Sequence, residues 1–293
     1  MREMTVSKND AGQRLDRFLT KAVPGLPATL AQKYIRTKRI KVGGKRAEQN
    51  YRLMEGDTIQ LYISDPFFEP AAKAEALYRA IPRPVLTIRY EDAQILIVDK
   101  PTGLLCHSDS TEGEPTLIDQ IKAHLYQSGQ WDPEREQSFV PALCNRLDRN
   151  TGGLVLAAKT AAALQELNQK IRDREVDKYY LLAVHGRPEP PAGRLEGYLQ
   201  KDRPQNRVRL THAETEEAKA AVTLYQTIES KGGLSLVECR LETGRTHQIR
   251  AHLAHIGHPI IGDGKYCPNY INKQYSAKMQ RLWAYKLEFR PSL

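Results

Sequence analysis

Residues 218–228 and 234–241 read as two strands, rich in Val, Thr, Leu and Tyr, on either side of a connection that contains Gly232-Gly233. A Gly-Gly pair between two such runs is a hairpin signal. Further strands fit 86–90 and 95–98, paired across Glu91-Asp92-Ala93-Gln94, and also 154–159, 179–184 and 283–289. Helices are few. Thr116 to Leu125 is one, and Ala161 to Arg172, with Leu164, Leu167 and Ile171 on one face, is another. A third is expected from Thr246, as N-cap, to Gly257 before Pro259, burying Ile249, Leu253 and Ile256. Long hairpins with few helices place the chain in the α+β class, around a mixed, mostly antiparallel central sheet with flanking helices.

Charge divides the chain. Residues 1–64 hold 13 Lys and Arg against 6 Asp and Glu, a surplus of seven out of the whole chain's nine. A small basic head on a nearly neutral body fits a polyanion-binding module attached to something else. In the head, Leu15, Phe18 and Leu19 repeat at helical spacing, as do Leu30, Tyr34 and Ile35. The second helix ends in a basic ridge, Lys33, Arg36, Lys38 and Arg39. Ile40-Lys41-Val42 then alternates into Gly43-Gly44-Lys45, and Gly56-Asp57 precedes the strand Thr58 to Ile63. Residues 65–85, with four prolines and an Ala-rich middle, read as a linker to a body over 86–293.

Mean hydropathy of -0.57 fits a soluble globular protein, and no apolar run approaches the length needed to span a bilayer. Met1-Arg2-Glu3-Met4 has no signal-peptide core, so a cytoplasmic protein is expected; a monomer is expected as well. Cys106, Cys144, Cys239 and Cys267 form no Cys-x-x-Cys pair and read as reduced thiols. His247, His252, His255 and His258 match no ligand pattern, so no metal is expected. No Gly-rich dinucleotide or phosphate loop occurs, and no small-molecule cofactor is expected.

Three segments carry the chemistry. Asn145-Arg146-Leu147-Asp148-Arg149-Asn150-Thr151-Gly152-Gly153 sets one carboxylate between two guanidinium groups, an arrangement that favours a nucleophile or base over a proton donor. Asp177-Lys178-Tyr179-Tyr180 enters a strand, on which only one tyrosine can face a given side. Leu241-Glu242-Thr243-Gly244-Arg245-Thr246-His247-Gln248-Ile249-Arg250 opens the third helix, with Arg250 beside its apolar face. On the first segment alone, a surface Arg-Asp-Arg cluster is an equal reading.

In order and spacing, these segments resemble the signature motifs of the RluA-type pseudouridine synthases over roughly residues 86–290, and Asp99 to Leu104 resembles another family segment. Asn145 stands where histidine is frequent in the family and Gly152 where serine is frequent. The head resembles the RNA-binding S4 domain through Arg14-Leu15-Asp16, the basic helix end and Ile40 to Lys45. The resemblance implies an RNA pseudouridine synthase acting on structured RNA, with 23S ribosomal RNA ahead of transfer RNA, by base flipping. It implies Asp148 as the essential carboxylate, Arg250 as its partner, and Tyr180, rather than Tyr179, against the flipped uracil. Arg146, Arg149, Thr151, Arg245, His247 and Gln248 are expected to meet substrate, with Lys33, Arg36, Lys38, Arg39, Lys41 and Lys45 on RNA phosphates. Residues 267–281 are expected to be a loop, either touching RNA or solvated. A non-catalytic RNA-binding protein of the same fold is the alternative; a glycosidase would need a second carboxylate that these motifs lack.

Overall fold

The computed structural model describes residues 1–68, 77–108, 114–133, 136, 138–202, 204–211, 214, 215 and 217–289. The Ala-rich middle of the expected linker, at 71–76, lies outside them. The chain forms two compact units. One comprises residues 1–97, 107–144 and 156–167, the other residues 98–106, 145–155 and 168–293.

The N-terminal segment runs β1 (Arg2–Thr5), α1 (Leu15–Ala22), α2 (Ala28–Arg36), β2 (Ile40–Val42), β3 (Lys45–Arg46) and β4 (Thr58–Leu61). Its antiparallel sheet has the order β1-β4-β2-β3. Leu15, Phe18 and Leu19 are fully buried and Ile35 nearly so, as their spacing predicts, against Ile40, Ile59 and Leu61. Gly43 and Gly44 both take positive φ in the two-residue turn that pairs Val42 with Lys45, the geometry such hairpins require. In the expected linker, residues 65–68 form a single turn whose Phe67 and Phe68 pack on the head's core. Residues 77–80 form another, with Tyr78 edge-on against Tyr126 and Trp131. Both described ends of that segment are therefore folded.

The remaining elements are β5 (Ile88–Glu91), β6 (Ile95–Lys100), α3 (Leu117–Gln127), β7 (Ala142–Leu143), β8 (Gly152–Ala158), α4 (Ala161–Arg172), β9 (Val176–His185), β10 (Ala192–Asp202), β11 (Arg207–Thr211), β12 (Ala218–Lys231), β13 (Leu234–Leu241), α5 (Gln248–His255), α6 (Asn269–Gln274) and β14 (Leu282–Phe289). One ten-stranded sheet has the order β11-β10-β12-β13-β9-β14-β8-β6-β5, with β7 on β8. β14 lies parallel to β8, whereas β9 to β13 pair antiparallel. The fold is the mixed, mostly antiparallel α+β arrangement expected. Among the described residues no helix is long and apolar enough to cross a membrane.

Three differences bear on the site. α5 begins at Gln248, not at a Thr246 cap, because His247 takes the cap position with φ of 52°. No side chain caps the helix; the Gln248 amide instead ties down the preceding turn, its Oε1 accepting the Arg245 N–H at 3.0 Å and the Thr243 hydroxyl at 2.7 Å. The expected loop 267–281 contains α6, with Ile271 and Asn272 buried. β10 and β11 were not expected at all.

Candidate active site

The Asp148 loop is held by the loop after β6. Strand alternation in β6 buries Leu96, Val98 and then Lys100. The Lys100 ammonium, fully buried, donates to the carbonyls of Pro101 at 2.9 Å, Leu104 at 2.8 Å and Arg149 at 3.1 Å. Burial pushes this amine down to about 8, against the opposing pull of Cys106 and Asp148. The Gly103 N–H donates to the same Arg149 carbonyl at 2.8 Å, and the Leu147 N–H donates to Cys106 Sγ at 3.3 Å. Both residues flanking Asp148 are thus tied to residues 100–106, which leaves the carboxylate little freedom. On the far side, Gly153 has φ of 114°, and a Cβ there would lie 2.1 Å from the Ala284 carbonyl oxygen. Only glycine lets β8 lie this close to β14.

Arg250 reaches the carboxylate from α5. Its Nη1 donates to Asp148 Oδ2 at 2.8 Å. Its Nε and Nη2 donate to Asp263 Oδ2 at 2.7 Å and Oδ1 at 2.9 Å, a bidentate fork. Asp263 is fully buried and also accepts the N–H groups of Lys265 and Tyr266. Burial pushes Asp263 up, but the Arg250 guanidinium outweighs it and holds the carboxyl below its ordinary range. Burial lowers Arg250, and its two carboxylate partners more than restore it, so the net shift is upward. Asn272 on α6 completes the support, donating to the Asp263 carbonyl and accepting the Gly262 N–H. Asp148 Oδ1 makes no hydrogen bond among the described residues, and the side chain is 23% exposed.

His247 Nε2 lies 3.8 Å from Asp148 Oδ2. That contact would be ionic only with a protonated ring. Burial pushes the imidazole down to about 4, with Arg250 adding to the effect and Asp148 opposing it. The ring is therefore neutral at pH 7, and its Nδ1 pairs with the Tyr266 hydroxyl at 3.0 Å. His252 and His258 likewise hydrogen-bond, to the Thr223 hydroxyl and the His185 carbonyl.

Of the two strand tyrosines, Tyr180 is buried and opposite Cys239 and Ala284, while Tyr179 lies under the Lys286 ammonium at 4.5 Å. Burial pushes the Tyr180 hydroxyl well above the usual phenol range, and the nearby Asp148 charge pushes the same way. At neutral pH it is a neutral phenol, suited to contact rather than to proton abstraction.

The expected substrate-contacting residues separate into two groups. Arg146, Arg149 and Arg245 are exposed, with Arg149 Nε on the Gly103 carbonyl and Arg245 Nε on the Ala220 carbonyl. Thr151 and Gln248 are taken up by the framework instead. Thr151 is buried with its hydroxyl accepting Gln280 Nε2, and the Gln248 amide also donates to Val222 and Thr223. In the head, Lys33, Arg36, Lys38, Arg39 and Lys45 are exposed and Lys41 half-buried. Lys38 has φ of 62° and ends α2, with the Arg39 N–H donating to the Tyr34 carbonyl. This Schellman-type close turns the ridge outward.

Lys100, Cys106, Asp263 and Tyr266 were not anticipated. Two signals could have found the charged pair. Lys100 stands on the inward phase of an alternating strand, and Asp263 is an acid between Gly262 and Gly264 directly after Ile260-Ile261. A charge at such a position needs a partner.

Two family profiles match the chain: "RNA pseudouridylate synthase" over residues 94–255 and "S4 domain" over residues 13–59. The chain is 35% identical to an "Uncharacterized RNA pseudouridine synthase" of Chlorobaculum parvum over 90% of its length and 78% of that protein's. It is 32% identical to "Ribosomal large subunit pseudouridine synthase D" of Nitrosomonas europaea, over 98% of this chain and 79% of the relative. It is 29% identical to the "C" protein of Escherichia coli, over 92% and 81%. Its fold is shared with the solved "Human RNA Pseudouridylate Synthase Domain Containing 1", with a TM-score of 0.55 at 22% identity over 70% of this chain and 78% of that one.

Proposed function

The chain belongs to the RNA pseudouridylate synthase family, in its RluA branch, and is an isomerase that binds RNA; on that premise we propose that Asp148 drives the isomerisation of particular uridines in structured RNA, with 23S ribosomal RNA ahead of transfer RNA as substrate. The single observation that carries the assignment is the 2.8 Å contact from Arg250 to one oxygen of Asp148, with no hydrogen bond to the other oxygen among the described residues. Relatives named for the large ribosomal subunit support the choice of RNA.

The ribose C1′–N1 bond of uridine breaks, C5 joins C1′, and the proton on C5 is exchanged for one on N1. Asp148 Oδ1 acts on the ribose, at C1′ or at the 2′ proton. Arg250, braced by Asp263, keeps that carboxylate aimed. Tyr180 lies against the extruded uracil, and Arg146, planar and exposed, fills the space the base leaves. Residues 1–64 form the phosphate-binding domain, 65–85 the connection and 86–293 the catalytic domain of a cytoplasmic monomer.

Pseudouridine mapping in total RNA from cells with and without the protein identifies the target uridine. Asp148→Asn is expected to abolish product while RNA binding stays intact. Normal turnover by that variant sinks the assignment.

A further inference from the structure

Between β1 and α1, Asp10 is completely buried. Its partners outside the head come from a segment 128 residues away in the chain. Asp10 Oδ1 accepts the Ser138 backbone N–H at 3.1 Å and the Ser138 hydroxyl at 2.5 Å, while Oδ2 accepts the Ser7 hydroxyl at 2.8 Å. Two further bonds flank this carboxylate: Gln13 Nε2 to the Ser138 hydroxyl at 2.7 Å, and Asn9 Nδ2 to Glu136 Oε1 at 2.7 Å. Among the described residues, every group that hydrogen-bonds to the Asp10 carboxylate is a neutral donor. A buried carboxylate held only by neutral donors tolerates little misalignment, because each lost donor leaves charge uncompensated in a dry site. Such a contact specifies one register far more than it adds stability.

We propose that Asp10 and Ser138 form a latch that docks the basic head on the catalytic part of the chain, making both positioning residues for RNA recognition. This rests on the reading that the head binds RNA phosphates. Residues 136–138 run on through Pro141 and β7 into the Asp148 loop, so the latch joins the phosphate-binding module to the segment that feeds the reacting carboxylate. A head tethered only through residues 65–85 would spread its phosphate contacts over many distances. A docked head presents them at one, which raises effective concentration for RNAs long enough to meet both parts. A short stem-loop that meets the catalytic part alone gains nothing from docking.

The test uses the full chain and two readouts. Hydrogen–deuterium exchange follows the amides of residues 136–142 in wild type, Asp10→Ala and Ser138→Ala. Turnover is measured on a long structured large-subunit rRNA transcript and on a short stem-loop carrying the mapped uridine. In Asp10→Ala, exchange at residue 138 should rise about tenfold or more, as loss of a charge-assisted hydrogen bond requires. KM for the long RNA should rise roughly three- to tenfold in both variants, with kcat and the stem-loop KM unchanged. Unchanged exchange in Asp10→Ala overturns the latch, and so does an unchanged KM on the long RNA. If Asp10→Ala fails to fold, Ser138→Ala, which alters no residue of the head, carries the kinetic comparison. Arg36→Ala with Lys38→Ala probes the head's RNA contacts separately. No rise in KM there removes the premise and the positioning role with it, while exchange still reports whether the head is docked.

Discussion

A guanidinium that holds two carboxylates at once divides its charge between them, and the two partners of Arg250 are not equivalent. Asp263 is enclosed and receives two of the three donated bonds, so it fixes the fork. Asp148 receives the third, at Oδ2, which leaves Oδ1 for the proposed action on the ribose. Lysine could replace the charge but not the planar fork. Arg250→Lys is therefore expected to lower kcat by about 10²–10³-fold, in the range of other misplaced active-site contacts, while RNA affinity stays within about twofold of wild type. Single-turnover rates with saturating enzyme decide it, and a variant as fast as wild type would mean that the fork is dispensable.

At the scale of elements, α5 carries the buried imidazole of His252 and its cap residue His247 the half-buried second one, both pushed down to about 4 by burial. The unfolded chain protonates these rings near pH 6.5, before the folded one does. Their contribution to stability is present above about pH 6.5 and is lost as pH falls toward 4. The urea midpoint should drop across that window, and His252→Gln should flatten the drop. A midpoint that is level from pH 7 to 4.5 contradicts the burial of both rings. The pairing of β8 with β14 makes a second case. A Cβ on Gly152 would lie 2.2 Å from the Trp283 ring. Serine, frequent in the family at this position, therefore fits this chain only if the indole moves. Gly152→Ser should cost about 1–3 kcal/mol as overpacking does, and Trp283→Ala in the same chain should recover most of it in thermal unfolding. Additive losses would exclude the clash.

Much of this architecture was legible before any coordinates. The helix 161–172 and the strand 234–241 have the bounds their patterns indicate, because a strong period and clear terminators leave one solution. β10 and β11 carry an apolar face through Leu199, Val208 and Leu210, but Arg, Lys, Glu and Gly between these residues break up the alternation that would mark it in the sequence. The Thr246 cap is not formed because the left-handed backbone at His247 starts the helix one residue later, with no side-chain cap. Asp148 and Arg250 stood out by their motifs, whereas Lys100 and Asp263 did not, since the need for a buried charge is visible only once its burial is known.

For the whole molecule, the uneven charge separates affinity from chemistry. On the proposed reading, the exposed cations on α2 and its end form a ridge that meets phosphates without reading bases. Each phosphate contact contributes about 0.7–0.9 to the slope of log affinity against log salt concentration. Replacing Arg36, Lys38 and Arg39 with Ala should therefore reduce that slope by roughly 2–3 and leave the position of the modified uridine unchanged. A slope equal to wild type would move the phosphate contacts elsewhere on the surface.

Among the described residues, the head's core draws on none beyond Phe68. Asp148, proposed as the reacting carboxylate, pairs with a guanidinium 102 positions downstream, which pairs in turn with Asp263. During synthesis, then, the phosphate-binding surface can take shape on the ribosome while the site still lacks its arginine. A nascent chain can hold RNA well before it can alter it, and stalled or truncated products would occupy the substrate without modifying it.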